Sequence, residues 1–482
     1  MKGDTNSVLE SRKKLNRPAV TETLGRWVAG VQYTQIPAEI AEFAKRAIAD
    51  TVGVTVTACE EDVSRIVIET VKGEPGPCSI WGTSVKTTAR NAALANGTMA
   101  HAHDLDDNNM SMVGHASAPV VPAVLALADE VNASGADIVL AYIVGVEVEG
   151  KLGLAVTYEH NGRGWHTTST LGTLGAAAAS AKLLKLDATG ARNALGIAVS
   201  MASGVRQNFG TMTKPLHVGI AAQNGVLAAK LAAKGLNASA KAIEGHEGFF
   251  DLFTDPQIMK CEEAIKDLGK KFELLQNVPK IHASCALVHT AIDIVQAGLK
   301  SGEIQTNDIA RVKCGVSYHA LNLMRYGAPR DHLEARFSIP YCVAAALIFK
   351  KLGIAEFRDA IVRRPDVHEL IKKIKVYILP EFSTQELFQE AYAAGKTYTD
   401  IEVAHKSGKV FKSRLPRQKG HPLKPLTAEE FRAKFLECLS RNFSPKVAQE
   451  TWEHFMDIEK HNPERPAAFL SREALDQSAV TI

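Results

Sequence analysis

Apolar residues recur at three- and four-residue spacing through most of the first 270 positions, the pattern of helices with one face in a core. Ile40, Ala41, Phe43, Ala44, Ala47 and Ile48 follow Pro37, which suits a first helical turn. The same spacing predicts helices over 62–71, 89–103, 117–131 and 136–155. Two further segments, 169–182 and 219–233, are dominated by small residues. Glycine inside a helix costs about 1 kcal/mol against alanine, so such runs are read as close helix–helix contact. They are not phosphate loops, because no strand precedes them and neither GxGxxG nor GxxxxGK[ST] spacing occurs.

The period changes near residue 270. Residues 311–318 and 374–378 read as strands, and 399–414 alternates around Ser407 and Gly408, a hairpin signal. Helical segments at 283–300 and 340–352 accompany them. Thr427 and Glu430 then have capping-box spacing where the helical period returns. The predicted architecture is mainly α with an α+β insert. It has a flexible N-terminus over 1–18, a helical domain from 19–270 and 415–482, and an α+β domain over 271–414. A functional site is expected where the two domains meet.

Bulk properties narrow the function classes. A chain of 482 residues exceeds what one core usually organises. Its 56 basic and 53 acidic residues leave a net charge of +3, too balanced to imply nucleic-acid or membrane partners. Cys59, Cys78, Cys261, Cys285, Cys314, Cys342 and Cys438 are scattered, with no CxxC pair, which argues against a zinc ribbon or a disulfide framework. The polar N-terminus lacks the apolar core of a signal peptide, and no apolar run reaches membrane-spanning length. A cytoplasmic protein is expected.

Chemistry concentrates in one window, where His101, His103, Asp104, Asp106, Asp107, Asn108, Asn109 and His115 lie between two apolar helical segments. A solvated loop with capping aspartates is the ordinary alternative, but six titratable groups in fifteen residues favour function. Four other clusters are candidates. Gly164, Trp165 and His166 precede a small-residue helix. Arg206, Asn208, Lys214 and His217 surround a helix start, which favours anions. Lys280, Ser284, Cys285 and His289 form the third, with Cys285 and His289 four apart on one predicted helical face. Glu334, Arg336 and Ser338 form the fourth, which reads equally well as a surface turn. Histidines for proton transfer, aspartates to orient them and cations to hold carboxylates suit removal of a proton beside a carboxylate. A divalent-metal hydrolase using His101, His103, Asp104, Asp107 and His115 is the alternative from another class, and a catalytically dead binding protein a third.

These segments, in this order, resemble the MmgE/PrpD family. The resemblance rests on His103 to Asp107, Gly114 to Pro119, Gly164 to His166, Asn208 to Pro215, Lys280 to His289 and Ala335 to Ser338. It implies a helical domain with an inserted α+β lid domain, a homodimer and a cofactor-independent lyase acting on a small di- or tricarboxylate. The activity it implies is most like that of 2-methylcitrate dehydratase, with cis-aconitate-type decarboxylation or iminodisuccinate-type epimerisation as alternatives. The implied catalytic residues are Asp104, His115, His166, Lys214 and His289. Asn108, Arg206, His217 and Lys280 are the expected substrate-binding residues, and no metal is required. The chain departs from the common family pattern at Asn108 and Asn109, where a threonine more often follows the paired aspartates. That is where substrate choice is expected to diverge.

Overall fold

The computed structural model describes residues 17–460 and Leu470. The expected flexible N-terminus lies outside them except for Arg17 and Pro18. Arg17 is tied down, 2.6 Å from Asp251 and donating to the Glu244 carbonyl at 3.0 Å.

The first half is helical: α1 (Val20–Gly30), α2 (Ala38–Thr57), α3 (Asp62–Val71), α4 (Ala89–Ala102), α5 (Ser117–Val131), α6 (Gly135–Gly162), α7 (Thr167–Leu183), α8 (Ala188–Val199) and α9 (Thr213–Ala233). Pro37 sits one residue earlier than expected: its extended ψ of 140° makes it the cap before α2. The small-residue segments form tight crossings. A Cβ built on Gly97 of α4 would lie 2.9 Å from the Gly219 Cα of α9, so both positions exclude a side chain. α6 continues past its predicted end to Gly162, broken at Thr157, whose φ of 59° is left-handed.

A short antiparallel pair, β1 (Asn108–Asn109) with β2 (Asn277–Val278), ties the first half to the second, which holds a four-stranded sheet. The sheet comprises β3 (Ile309–Val316), β4 (Ile374–Ile378), β5 (Thr399–His405) and β6 (Val410–Leu415), in the order β4-β3-β5-β6. β3 and β4 are parallel and the other pairs antiparallel. The predicted hairpin turns at Gly408, φ 88°. Helices α10 (His289–Lys300), α11 (Tyr318–Leu323), α12 (Ile339–Phe349) and α13 (Gln385–Ala393) accompany the sheet. α10 starts six residues later than expected, because a 3-10 turn over 286–288 precedes it. Cys285 therefore caps that turn and does not share a helical face with His289.

α14 (Ala428–Leu439) opens with the expected capping box and is followed by α15 (Pro445–Met456). Both return to α2: Phe431 meets Phe43 edge-on at 5.9 Å, and Lys434 reaches Asp50 at 2.7 Å. One apolar core joins α1, α2 and α4 to α9 with Phe431, Phe435, Trp452 and Phe455, while α3 packs in a smaller cluster with Ile80 and Met99. A second lies around the sheet, with Ile292, Val312, Val343, Leu347 and Val403. Among the described residues no helix is long and apolar enough to cross a membrane.

Candidate active site

The polar window leaves α4 at His103, turns through Asp104 at a left-handed φ of 52°, pairs as β1, and enters α5. The turn sends adjacent side chains to opposite sides. Asp104 faces a cavity of about 510 Å³ that is also lined by Asn108, His115, His166, Lys214 and Cys285. His166 is the residue before α7, and Lys214 lies in the first turn of α9. The start of α7 also grips the loop, because the Thr168 hydroxyl accepts the His115 N–H at 3.1 Å and the Thr167 hydroxyl donates to the Val113 carbonyl at 2.6 Å. Helix ends and one constrained loop thus hold the chemical groups in place.

A chain of polar contacts lies behind the cavity wall. The Asp106 carboxylate takes both His101 Nδ1 at 2.8 Å and His115 Nδ1 at 2.9 Å. His101 Nε2 is 2.5 Å from Lys214 Nζ. Lys214 donates to Asp104 Oδ1 at 3.3 Å, and Lys280 donates to the same oxygen at 2.8 Å. His115 Nε2 lies 3.6 Å from it. Asp104 Oδ2 is buried with no hydrogen-bond partner among the described residues. The Lys214 ammonium also lies over the rings of Phe209 and Phe337, at 5.3 and 5.1 Å.

These contacts set the charges. Burial works against ionising Asp104, but Lys214 and Lys280 outweigh it and hold the carboxyl well below the usual range. Asp106 is likewise kept ionised against burial by the two imidazoles it accepts from. Burial pushes the His101 pKa down to about 3, His115 down, and His166 well down, with Lys214 adding to the effect on His101 and His166. Burial also lowers Lys214, while Asp104 works to keep it charged. At neutral pH the cavity therefore presents two neutral histidines, one ammonium and a compensated carboxylate. Burial raises the Cys285 thiol to about 11, so it faces the cavity protonated.

Of the expected site residues, Asp104, Asn108, His115, His166 and Lys214 line the cavity, and the other four do not. His217 backs His166, ring nitrogen to ring nitrogen at 3.1 Å. Lys280 is fully buried on Asp104 and the Ser284 carbonyl. His289 contacts the Ser284 carbonyl at 3.1 Å. Arg206 donates to the Asn161 carbonyl at 2.6 Å. The sequence reading missed the central part of His101 and Asp106. The signal available was their spacing of five, which lets a helix end and the following loop fold onto each other. His103 points the other way, to the Thr57 carbonyl and to Arg336, each at 3.2 Å. Arg336 is buried, which corrects the surface-turn alternative for its segment.

A divalent metal fits these residues poorly. One ligand atom each of His101, Asp104, Asp106 and His115 can cluster within 4.8 Å. Yet Lys214 and Lys280 already place ammoniums on His101 and Asp104, and a further cation there would meet their repulsion. His103 and Asp107, two members of the expected metal set, point elsewhere.

The sequence profile of the MmgE/PrpD N-terminal domain matches residues 22–262, and that of the MmgE/PrpD C-terminal domain matches 282–460. The cis-aconitate decarboxylase of Homo sapiens is 29% identical over 460 residues, covering 92% of each chain. The Mus musculus enzyme of that name is 28% identical over 454 residues, covering 91% of this chain and 90% of its own. The Aspergillus terreus enzyme of that name is 27% identical over 392 residues, covering 74% of this chain and 78% of its own. The chain belongs to the MmgE/PrpD family.

Proposed function

We propose that this MmgE/PrpD lyase moves a proton at a carbon beside a carboxylate of a small di- or tricarboxylate, and that it decarboxylates a cis-aconitate-like substrate. The observation that carries this reading is one buried cavity in which neutral His115 and His166 face the Lys214 ammonium. The relatives named for cis-aconitate decarboxylation support the choice of reaction.

Lys214 binds one substrate carboxylate and stabilises the charge that develops on it. The bond between the terminal CH₂ and its carboxylate breaks, CO₂ leaves, and the electron pair becomes a new C=C bond. The former double bond shifts its electrons to its outer carbon, which takes one proton from an acid in the cavity. Lys214 is the resident acid, the proton it gives to carbon is replaced from solvent, and the neutral histidines accept that proton and relay it to the lysine. Asp106 holds the Nδ1 proton of His101 and lies 2.9 Å from Nδ1 of His115, which leaves Nε2 of His101 to accept from Lys214.

A second reading, dehydration of the 2-methylcitrate type, is favoured by the same pairing of a neutral base with an ammonium acid. In it a histidine takes the α-proton and Lys214 protonates the departing hydroxyl. Asn108, lining the cavity in place of the more usual threonine, is where these readings diverge. The homodimer, and the division into 19–270 with 415–482 and 271–414, belong to the same proposal.

The test is turnover of cis-aconitate and 2-methylcitrate, followed by CO₂ release and product NMR. CO₂ with a methylene dicarboxylate supports decarboxylation, and loss of water without CO₂ supports dehydration. Inactivity on both, together with stoichiometric metal and sensitivity to chelators, overturns the reading. The acid limb of the pH–rate profile is expected below the ordinary histidine range, because the functional histidines are pushed down. The alkaline limb is expected below that of an ordinary lysine, since Lys214 is also lowered.

A further inference from the structure

Asn108, Val113, Leu287 and His319 line both this cavity and an adjoining, larger chamber of about 860 Å³ that the chemistry above does not use. The left-handed break at Thr157 precedes Tyr158, which lines this chamber. Tyr158 meets His319 and Phe388 edge-on, each at 5.6 Å, and Tyr392 at 5.1 Å. His319 stacks on Phe388 at 5.1 Å. The Tyr158 and Tyr392 hydroxyls bond to each other, and Tyr392 reaches the Met110 sulfur at 3.4 Å, so the rings are held in place. Burial pushes His319 and His421 down to about 4, which leaves both neutral at pH 7.

Arg417 is the one residue of permanent charge among the described lining residues. Its Nη1 is spent on the Thr397 carbonyl and hydroxyl, both at 2.9 Å, and on the Pro416 carbonyl at 2.6 Å. Its Nε is buried and has no partner among the described residues. A buried guanidinium donor without an acceptor is costly, and the fork of a guanidinium matches a carboxylate in shape and charge.

We infer that the outer chamber binds the part of the substrate remote from the reacting carbon, and that this part is an apolar or aromatic segment ending in a carboxylate received by Arg417. The inference rests on the carboxylate reading of the inner cavity. The aromatic walls supply contact area without charge, and the single cation sets the polarity of the far end. The site then admits relatives of a six-carbon tricarboxylate that carry such a segment, and remote binding helps hold the reacting end in place.

Calorimetric titration of the full-length protein with succinate, benzylsuccinate and (4-carboxybenzyl)succinate tests this. In the wild type, benzylsuccinate binds more tightly than succinate, and the added carboxylate improves Kd roughly tenfold or more. Arg417→Gln brings the ratio of the two benzyl ligands to about one, and Phe388→Ala shrinks the gain from the benzyl group. Arg417→Lys keeps the charge but not the fork, and gives an intermediate ratio. Equal wild-type constants for the two benzyl ligands, or a ratio that survives Arg417→Gln, overturn the inference while leaving the inner cavity as a carboxylate site. Failure of all three ligands to bind overturns the carboxylate reading and this inference with it.

Discussion

Asp106 and Asp107 are adjacent in sequence and both buried, yet their carboxyl groups shift in opposite directions. Asp106 faces two imidazoles and stays ionised. Asp107 faces Ser117 and Asn277 and has no cation beside it among the described residues; its Oδ2 accepts the Asn277 amide at 2.6 Å. Burial pushes its pKa up to about 7. Farther along the same side, Glu149 is fully buried, neither of its oxygens has a partner among the described residues, and its pKa is pushed well up by burial and then by Asp107. Burial alone raises every one of these acids. Only the side facing Lys214, Lys280 and the histidines repays the cost of a charge. The loop thus divides one acidic run into an ionised half at the cavity and a core half that holds its protons to higher pH.

The largest expected effect comes from removing the cavity's own cation. Lys214→Ala should lower kcat/KM by roughly a thousandfold or more. Asp104 keeps Lys280 in this variant, so the melting temperature should stay near that of the wild type. His166→Ala should likewise leave the fold intact and remove most turnover. Near-normal kinetics in both variants would mean that the ionised half is not catalytic.

Asp106→Asn is the next step down. It removes the charge that fixes the His101 and His115 tautomers, at a cost of roughly a hundredfold in kcat. Because Asp106 works to raise both histidine pKa values, its loss should also move the acid limb of the pH–rate profile to lower pH. A lower rate with an unmoved limb would assign Asp106 a purely structural part.

The smallest effect on activity is expected in the core half. Glu149→Gln should barely change kcat/KM, but it should change how stability depends on pH. The folded pKa of Glu149 is raised, so its stabilising contribution is complete below the unfolded value of 4.5 and is lost as pH climbs toward the folded value. The variant lacks this loss, so its advantage in melting temperature over the wild type should grow from pH 5 to pH 9. A constant difference across that range would show Glu149 ionised in the fold and break the comparison.

Much of the fold was legible because helical spacing, the Ser407–Gly408 turn and the Thr427–Glu430 capping box are local signals. The start of α10 was not, because the 286–288 turn is held by contacts distant in sequence, such as Cys285 N–H to the Arg336 carbonyl. In the site, Asp104, His115, His166 and Lys214 lie in polar clusters within apolar surroundings, and the family resemblance singled them out; all four line the cavity. The parts of His101 and Asp106 were hidden because they depend on where the chain turns. His101 and His103 stand at the end of α4, where a spacing of two puts side chains on opposite faces, so they meet different partners. Composition cannot show that Lys280 spends its charge on Asp104, since the two are 176 positions apart.

The most direct measurement is deuterium incorporation from D₂O into cis-aconitate or its product, followed by proton NMR with wild type and Lys214→Ala side by side. The account predicts one deuterium at the carbon beside a carboxylate with the wild type, and almost none with the variant. Product formed without deuterium at that carbon, or incorporation undiminished in Lys214→Ala, would contradict it.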